Sequence, residues 1–585
     1  MSFASGAAQL MALNVWSRVL TFALNQLALR YITRNVLGIV GVEMELLLAT
    51  VLFLSRECIR MALLRCDKTL PNNAGPITMS HEQYALHQRI VNLAYLPIAF
   101  GAVIIGGISS YFSYFHVVVS PSGTMRAVFC GAAFVELLAE PFYILSVNNL
   151  FFGVRVRIEG LAMFVKCVAT VACLRASRIE SDTLRVSERD GVAAFAWAQL
   201  AYASVLLAGF LLHFARVYKH VRVADSNQVY PQQLWLLIPR RVSNDSEESG
   251  KGRKLKEYYA DPNLSSLAIT FAKQGLFKYA LTEGDKILSV AFITEAIQGD
   301  YSLVEKYGSI IARLLFQPIE EMSRVYFSKT LTTSSTAATS AVSESSSAKE
   351  KRAALTLLTL LLRLYTLLSL YFLAFGTNYT SLLIDLLASS AFSSGSAPQV
   401  FSAYCLYIPL LAINGVTEAF LQSVAPRDVL MKQSYWMALC WCVFIVTGWS
   451  SIQLAGLGGV GIVLANSINM LMRIWFALNF IGEYFRVGKT VAGANSREDE
   501  IEIERMLDPK RFIPKTAVLV AFVAAWGVTH TSNATIGWRS LTAKLQHIGV
   551  GAICFFVVTG VIYISEKSLI SQVRQLVRSR KQKEQ

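Results

Sequence analysis

Charge is scarce in this 585-residue chain: only 16% of its residues are Asp, Glu, Lys or Arg, against about 25% in an average soluble domain. A soluble core of this size would need more polar surface, which argues against a soluble enzyme or binding module. Recognisable catalytic patterns are also missing. The seven histidines are dispersed mainly in loops, and no Ser-His-Asp, His-Glu-x-x-His or Asp-x-Asp arrangement appears, so no enzymatic activity is expected. The nine cysteines form no Cys-x-x-Cys pair and have no histidine at zinc-ligand spacing. They read as small buried hydrophobes, and neither a metal site nor a disulfide framework is expected. Gly456-Leu-Gly-Gly-Val-Gly461 is not followed by Lys-Ser/Thr and has no strand before it, so it reads as a hinge or close helix packing and not as a phosphate-cradling loop. No nucleotide and no other cofactor is implied. The first apolar stretch lacks a basic leader region and is interrupted by Asn14, Arg18, Asn25 and Gln26, which suits a first membrane span better than a cleavable signal peptide.

What the chain has in quantity is hydrophobicity: 54% of residues are apolar and the mean hydropathy is +0.45. Runs of about 20 apolar residues, enough to cross a bilayer as helices, recur along the whole sequence. They place spans at 8–29, 36–54, 90–115, 126–147, 158–175, 192–213, 267–292, 301–327, 354–375, 400–423, 431–453, 457–481, 515–530 and 546–565. The expected fold is all-α and polytopic, with about fourteen transmembrane helices in two bundles around a central cavity. The divisions are an N-terminal bundle at 1–213 (spans one to six), a cytosolic loop at 214–265, a second bundle at 266–482 (spans seven to twelve), a cytosolic loop at 483–514, and spans thirteen and fourteen with a basic tail at 515–585.

Orientation follows from the basic residues. Loops after even-numbered spans, with the C-terminal tail, hold about 35 Lys and Arg against about 10 in the other set, which puts the first set and both termini in the cytosol. The net charge of +15 thus lies beside the membrane, where anionic lipid headgroups are the nearer partner and nucleic acid is not expected. The Ser/Thr/Ala-rich stretch 328–350 reads as a flexible cytosolic linker. Two Asn-x-Ser/Thr sequons, at Asn378 and Asn533, fall in expected lumenal loops and are candidates for glycosylation.

Ionisable residues at membrane depth are the most informative positions, because each is costly unless it faces water or a partner. The first half carries Arg18, Glu43, Glu45, Arg56, Glu57, Glu136, Glu140 and Lys166. The second carries a cluster in spans seven and eight, then Arg363, Glu418 and Arg473. Guanidinium forks match phosphate oxygens, so Arg18, Arg30, Arg56, Arg313 and Arg473, with Lys273 and Lys278, are candidate ligands for a diphosphate or sugar. Glu57, Glu136, Glu140, Glu283, Glu320 and Glu418 are candidate helix ties or gates, with Arg56–Glu57 and Glu320–Arg324 as possible pairs. In span seven Glu283 and Lys286, three residues apart, share a face.

Several longer runs are more specific: Phe53-Leu-Ser-Arg-Glu57, Val135-Glu-Leu-Leu-Ala-Glu-Pro-Phe142, Phe271-Ala-Lys-Gln, Leu281-Thr-Glu-Gly284, Ala312-Arg-Leu-Leu-Phe-Gln-Pro-Ile-Glu-Glu321, Ser393-Ser-Gly-Ser396, Tyr404-Cys-Leu-Tyr407, Leu411-Ala-Ile-Asn-Gly-Val-Thr-Glu-Ala-Phe420, and Gly459-Val-Gly-Ile-Val-Leu-Ala-Asn466 ahead of Arg473. Together they resemble the eukaryotic Rft family, the nominal dolichol-diphosphate-oligosaccharide flippases of the multidrug/oligosaccharidyl-lipid/polysaccharide exporter superfamily. The resemblance covers nearly the whole chain. It implies a multi-pass protein of the endoplasmic reticulum that acts in N-glycosylation on a dolichol-linked heptasaccharide of five mannoses and two N-acetylglucosamines. In that reading Arg18, Arg56, Arg313 and Arg473 engage the diphosphate while the tail stays in the bilayer. Two other readings stay open: a non-transporting accessory factor that works with the pathway's glycosyltransferases through its cytosolic loops, and a cation-coupled exporter using Glu43, Glu45 and Glu136.

Overall fold

The computed structural model describes residues 22–63, 77–79, 81–114, 122–149, 151–181, 186–218, 221–223, 236–241, 259, 261–336, 341–487, 513–567, 569 and 571–572. Nearly all of them are helical. In hydrocarbon no water is available to the backbone, and a helix satisfies its amides within one segment. Among the described residues β structure is limited to Ile77–Met79 and Val221–Val223, which pair in parallel with Ile77 opposite Val221.

Ten of the described helices are long and apolar enough to cross a membrane, so the chain is a multi-pass helical membrane protein. Large apolar side chains that point outward from them, such as Val103, Val523 and Phe556, have lipid as their natural surroundings. Wherever they are described, the expected spans coincide with helix. Single-residue turns interrupt the third and fourth at Tyr95 and Ala139, just ahead of Pro97 and Pro141, whose rings disfavour a continuous helix. Four expected spans are not among the ten. Of 8–29 only 22–29 is described. The stretch 158–175 lies within Phe152–Ser181 and carries Glu159, Lys166 and Arg175. The stretches 267–292 and 301–327 are helical but rich in ionic residues.

The chain forms two compact units, Met1–Ile287 and Leu288–Gln585. In the first, Ile59, Ile90, Phe142, Phe210, Phe214 and Tyr218 make a buried core. Part of the expected loop 214–265 joins that core. Leu236 and Leu237 are buried in it, and the segment's backbone is gripped by helix His81–Ala94. Gln88 Nε2 donates to Ile238 O at 2.7 Å, Asn92 exchanges two hydrogen bonds with Arg240, and Tyr95 OH donates to Leu237 O at 2.9 Å. In the second unit Leu360, Val518, Phe522 and Val558 form a core that joins helices Ala341–Tyr371, Thr516–Thr535 and Leu541–Ser565.

The linker expected at 328–350 is largely helix instead. Gln317–Thr336 runs through its first part and Ala341–Tyr371 begins within it. Both stretches continue longer helices, so no new nucleus is required, and Ala, Glu and Lys propagate a helix readily.

Gly456 and Gly458 have positive φ (64° and 51°) and turn the chain between helices Arg427–Gln453 and Gly458–Val487. A Cβ at Gly461 would lie 3.1 Å from Ser451 Cβ, so this glycine run serves a tight turn and close packing.

Candidate functional site

Arg56 and Arg60 lie four residues apart on helix Glu45–Leu63 and therefore share a face. Glu136 and Glu140 are also four apart, on either side of the break at Ala139. The two pairs meet rung for rung. Arg56 Nη1 donates to Glu136 Oε1 at 2.8 Å and stands 3.7 Å from Glu140 Oε2. Arg60 grips Glu140 as a fork, Nε to Oε1 at 2.8 Å and Nη2 to Oε2 at 2.7 Å. Both carboxylates are nearly inaccessible, Glu140 at 2% and Glu136 at 7% exposure, so removing either would leave a half-buried guanidinium short of its partner.

Tyr143, one turn beyond Glu140, lies under two guanidiniums. Arg60 Cζ is 3.9 Å and Arg155 Cζ 4.7 Å from the ring centroid, both within cation–π range. Arg155 is tied in turn to Glu159 at 2.9 Å. Tyr202 faces the same space, with the Lys166 ammonium 5.8 Å from its ring. These side chains line a cavity of about 140 Å³. That is below the roughly 300–1,000 Å³ of a small-molecule pocket, so it holds a few waters or one small anionic group and not an oligosaccharide. Three guanidiniums balance three carboxylates, so every arginine fork here is already engaged by a glutamate.

A second arginine–glutamate latch lies in the other unit. Arg473 Nη2 donates to Glu418 Oε2 at 2.6 Å, and Glu418 also accepts from Asn414 and Gln422, each at 3.1 Å. Glu320 pairs with Arg324 at 2.8 Å, as the sequence suggests. A Cβ on Gly415 would stand 3.0 Å from Glu320 Oε2, which gives Gly415 and the Asn414–Glu418 run a packing reason.

The remaining candidates divide. Arg56 ties to Glu136 and Glu140 rather than to Glu57, since adjacent helical residues do not face each other. Glu283 and Lys286 do share a face, 3.0 Å apart, and Lys286 also reaches Glu45 at 3.4 Å. Arg30 is exposed in the turn after helix 22–29. Arg18 lies outside the described residues, as do the side chains of Lys273, Lys278 and Arg313, whose backbones are helical. Arg313 occupies a π-helical turn, Ala312–Phe316. Asn378 does not suit glycosylation. It is 5% exposed, and its Nδ2 donates to Thr529 Oγ1 at 2.8 Å and to Trp526 O at 3.2 Å, so a glycan on that nitrogen would have no room. Asn533 is half-buried near the end of helix Thr516–Thr535.

Sequence reasoning missed Arg60, Tyr143, Arg155 and Glu159. The repeated spacing of four in Arg56/Arg60 and Glu136/Glu140 is the signal that would have found Arg60. It also missed Asp300, which is fully buried and accepts from Ser396 N at 2.9 Å and Ser396 Oγ at 2.5 Å. This carboxylate holds the N-terminus of helix Ala397–Val424 and accounts for Ser396 in the Ser393–Ser396 motif. A further omission is Glu566, fully buried and ion-paired with Arg363.

Comparison with known proteins agrees with this architecture. The Rft protein family model matches residues 2–576. The Man(5)GlcNAc(2)-PP-dolichol translocation protein RFT1 of Xenopus tropicalis is 30% identical over 98% of this chain and 96% of its own length. The protein of the same name from Saccharomyces cerevisiae is 29% identical over 82% of this chain and 83% of its own. Among solved structures, the lipid II flippase MurJ in an inward closed conformation superposes with a TM-score of 0.52 at 12% identity, covering 96% of this chain and all of that one, a likeness of fold. With its helical architecture, its paired intramembrane charges and a family match over almost its full length, the chain belongs to the Rft protein family.

Proposed function

We propose that this protein translocates Man5GlcNAc2-diphosphate-dolichol from the cytosolic to the lumenal leaflet of the endoplasmic reticulum membrane, for protein N-glycosylation. The names of its relatives supply the substrate. The observation that carries the reading is the arginine–glutamate ladder of Arg56, Arg60, Glu136 and Glu140. A guanidinium at membrane depth persists only where it has a task or a tie, and in this reading Arg56 has both. Its partner Glu136 holds it in place until phosphate oxygens, which carry more charge and more acceptors, take over. The dolichol tail stays in lipid, and only the polar head needs a wet, cationic route, which avoids most of its desolvation cost.

The carboxylates that would serve a cation-coupled exporter are engaged elsewhere. Glu43 faces Arg126 at 3.6 Å, Glu45 faces Lys286, and Glu136 faces Arg56. The packing of residues 236–241 against helix His81–Ala94 favours a second reading, in which the cytosolic loops present a surface to glycosyltransferases of the pathway. A strain lacking its own Rft protein distinguishes the two. Rescue of glycosylation by wild-type protein and by a deletion of 242–258, with failure of Arg56→Ala, supports translocation; failure of the deletion with rescue by Arg56→Ala supports the accessory role.

A further inference from the structure

One cavity has no part in the ladder. It has a volume of about 700 Å³ and lies in the second unit, where Thr356, Thr359 and Arg363 of helix Ala341–Tyr371 face Lys515 and Thr516 at the start of helix Thr516–Thr535, with Gln572 beyond helix Leu541–Ser565. By the distribution of basic residues this is the cytosolic edge of the membrane.

Its frame is set by one buried carboxylate. Glu566 is fully buried, binds Arg363 through one oxygen and accepts the backbone N–H of Lys515 through the other at 3.1 Å. Its charge is thereby paired, and it fixes the Arg363 guanidinium and the Lys515 backbone at the edge of the cavity. Arg363 lines the cavity, paired with Glu566 through Nη2. Lys515 is exposed and its ammonium makes no ion pair among the described residues. The first N–H groups of the twenty-residue helix that follows, those of Thr516 and Ala517, have no intrahelical carbonyl to reach, and the helix dipole adds positive potential there. The walls that flank this end are apolar and exposed, with Ile513, Val520, Tyr563 and Ile564 all turned outward.

We infer that this cavity binds a phosphate ester, namely the phosphate of an anionic lipid headgroup whose acyl chains lie along those apolar flanks. Lys515, Arg363 and a helix N-terminus lining one cavity supply the kinds of donor a phosphate requires, and the apolar flanks favour a headgroup over a free phosphate. The site stands apart from the translocation reading, and it gives the second unit an attachment to the cytosolic leaflet.

The test is ligand-induced thermal stabilisation of the purified full chain in detergent, titrated with dioleoyl phosphatidic acid, with dioleoylglycerol and with glycerol 3-phosphate. Phosphatidic acid is expected to raise the unfolding temperature, while dioleoylglycerol, which has the tails and no phosphate, is not. Lys515→Glu is expected to weaken the apparent affinity by about tenfold or more, and Lys515→Arg to retain it. Thr516→Glu places a carboxylate in the site while favouring the helix start, so it keeps the fold and is expected to block binding even if Lys515→Glu proves unstable. Equal stabilisation by glycerol 3-phosphate would assign the site to free phosphate esters. Undiminished binding of phosphatidic acid by Thr516→Glu, or equal stabilisation by dioleoylglycerol, would overturn the proposal.

Discussion

Arg60 holds Glu140 through two parallel hydrogen bonds of 2.8 and 2.7 Å, with the Tyr143 ring 3.9 Å beneath its guanidinium. Desolvation of such a pair offsets much of its attraction, so its net contribution to stability is small, but the loss of one partner is severe. Glu140→Ala should therefore destabilise the detergent-solubilised protein by about 3–5 kcal/mol. The double variant Arg60→Met/Glu140→Leu should recover most of that loss. Thermal unfolding of the four proteins of the cycle measures both effects.

Asp300 anchors the start of helix Ala397–Val424 through the N–H and hydroxyl of Ser396. Asp300→Ala leaves both donors unsatisfied and should cost about 2 kcal/mol, whereas Ser396→Ala removes one hydrogen bond and should cost about 1 kcal/mol. The order of the two unfolding temperatures decides whether the carboxylate or the serine carries the cap.

Asn92 closes a two-bond ring with the backbone of Arg240, N–H to Oδ1 at 2.8 Å and Nδ2 to O at 2.5 Å. Asn92→Ala should release this strap while leaving Leu236 and Leu237 as its apolar hold. Trypsin should then cleave after Arg240 and Arg241 several-fold faster than in the wild type, as resolved by mass spectrometry of the fragments.

The two sequons should behave differently. Asn378→Gln should leave the electrophoretic mobility of the expressed protein unchanged, because its amide is buried among Ala374, Trp526 and Thr529. Any glycosidase-sensitive band should disappear with Asn533→Gln.

The spans were legible because lipid imposes one rule on every segment, and hydropathy reports it. The ends of helices were less so. A hydropathy window closes where charges begin, so the second span was drawn to 54 although its helix continues to Leu63 and brings Arg60 into the bundle. The same effect hid Arg155, ahead of the span that begins at 158, and left Asp300 just outside the span that begins at 301. Charges such as Arg56, Glu136, Glu418 and Arg473 were visible as unusual, but their partners were not, since pairing depends on which helices pack together and the sequence separation of Arg56 and Glu136 carries no hint of it. Asn378 shows the converse. Its sequon is local and easily read, whereas the burial that overrides it comes from helix Thr516–Thr535, far along the chain.

The most direct test of the central claim is transbilayer movement of labelled Man5GlcNAc2-diphosphate-dolichol in liposomes that contain the purified protein. The expected result is movement well above that of protein-free liposomes, slowed at least tenfold by Arg56→Ala when equal amounts of folded protein are compared. No movement by wild-type protein that is folded and binds the lipid, or movement indifferent to Arg56→Ala, would contradict the account.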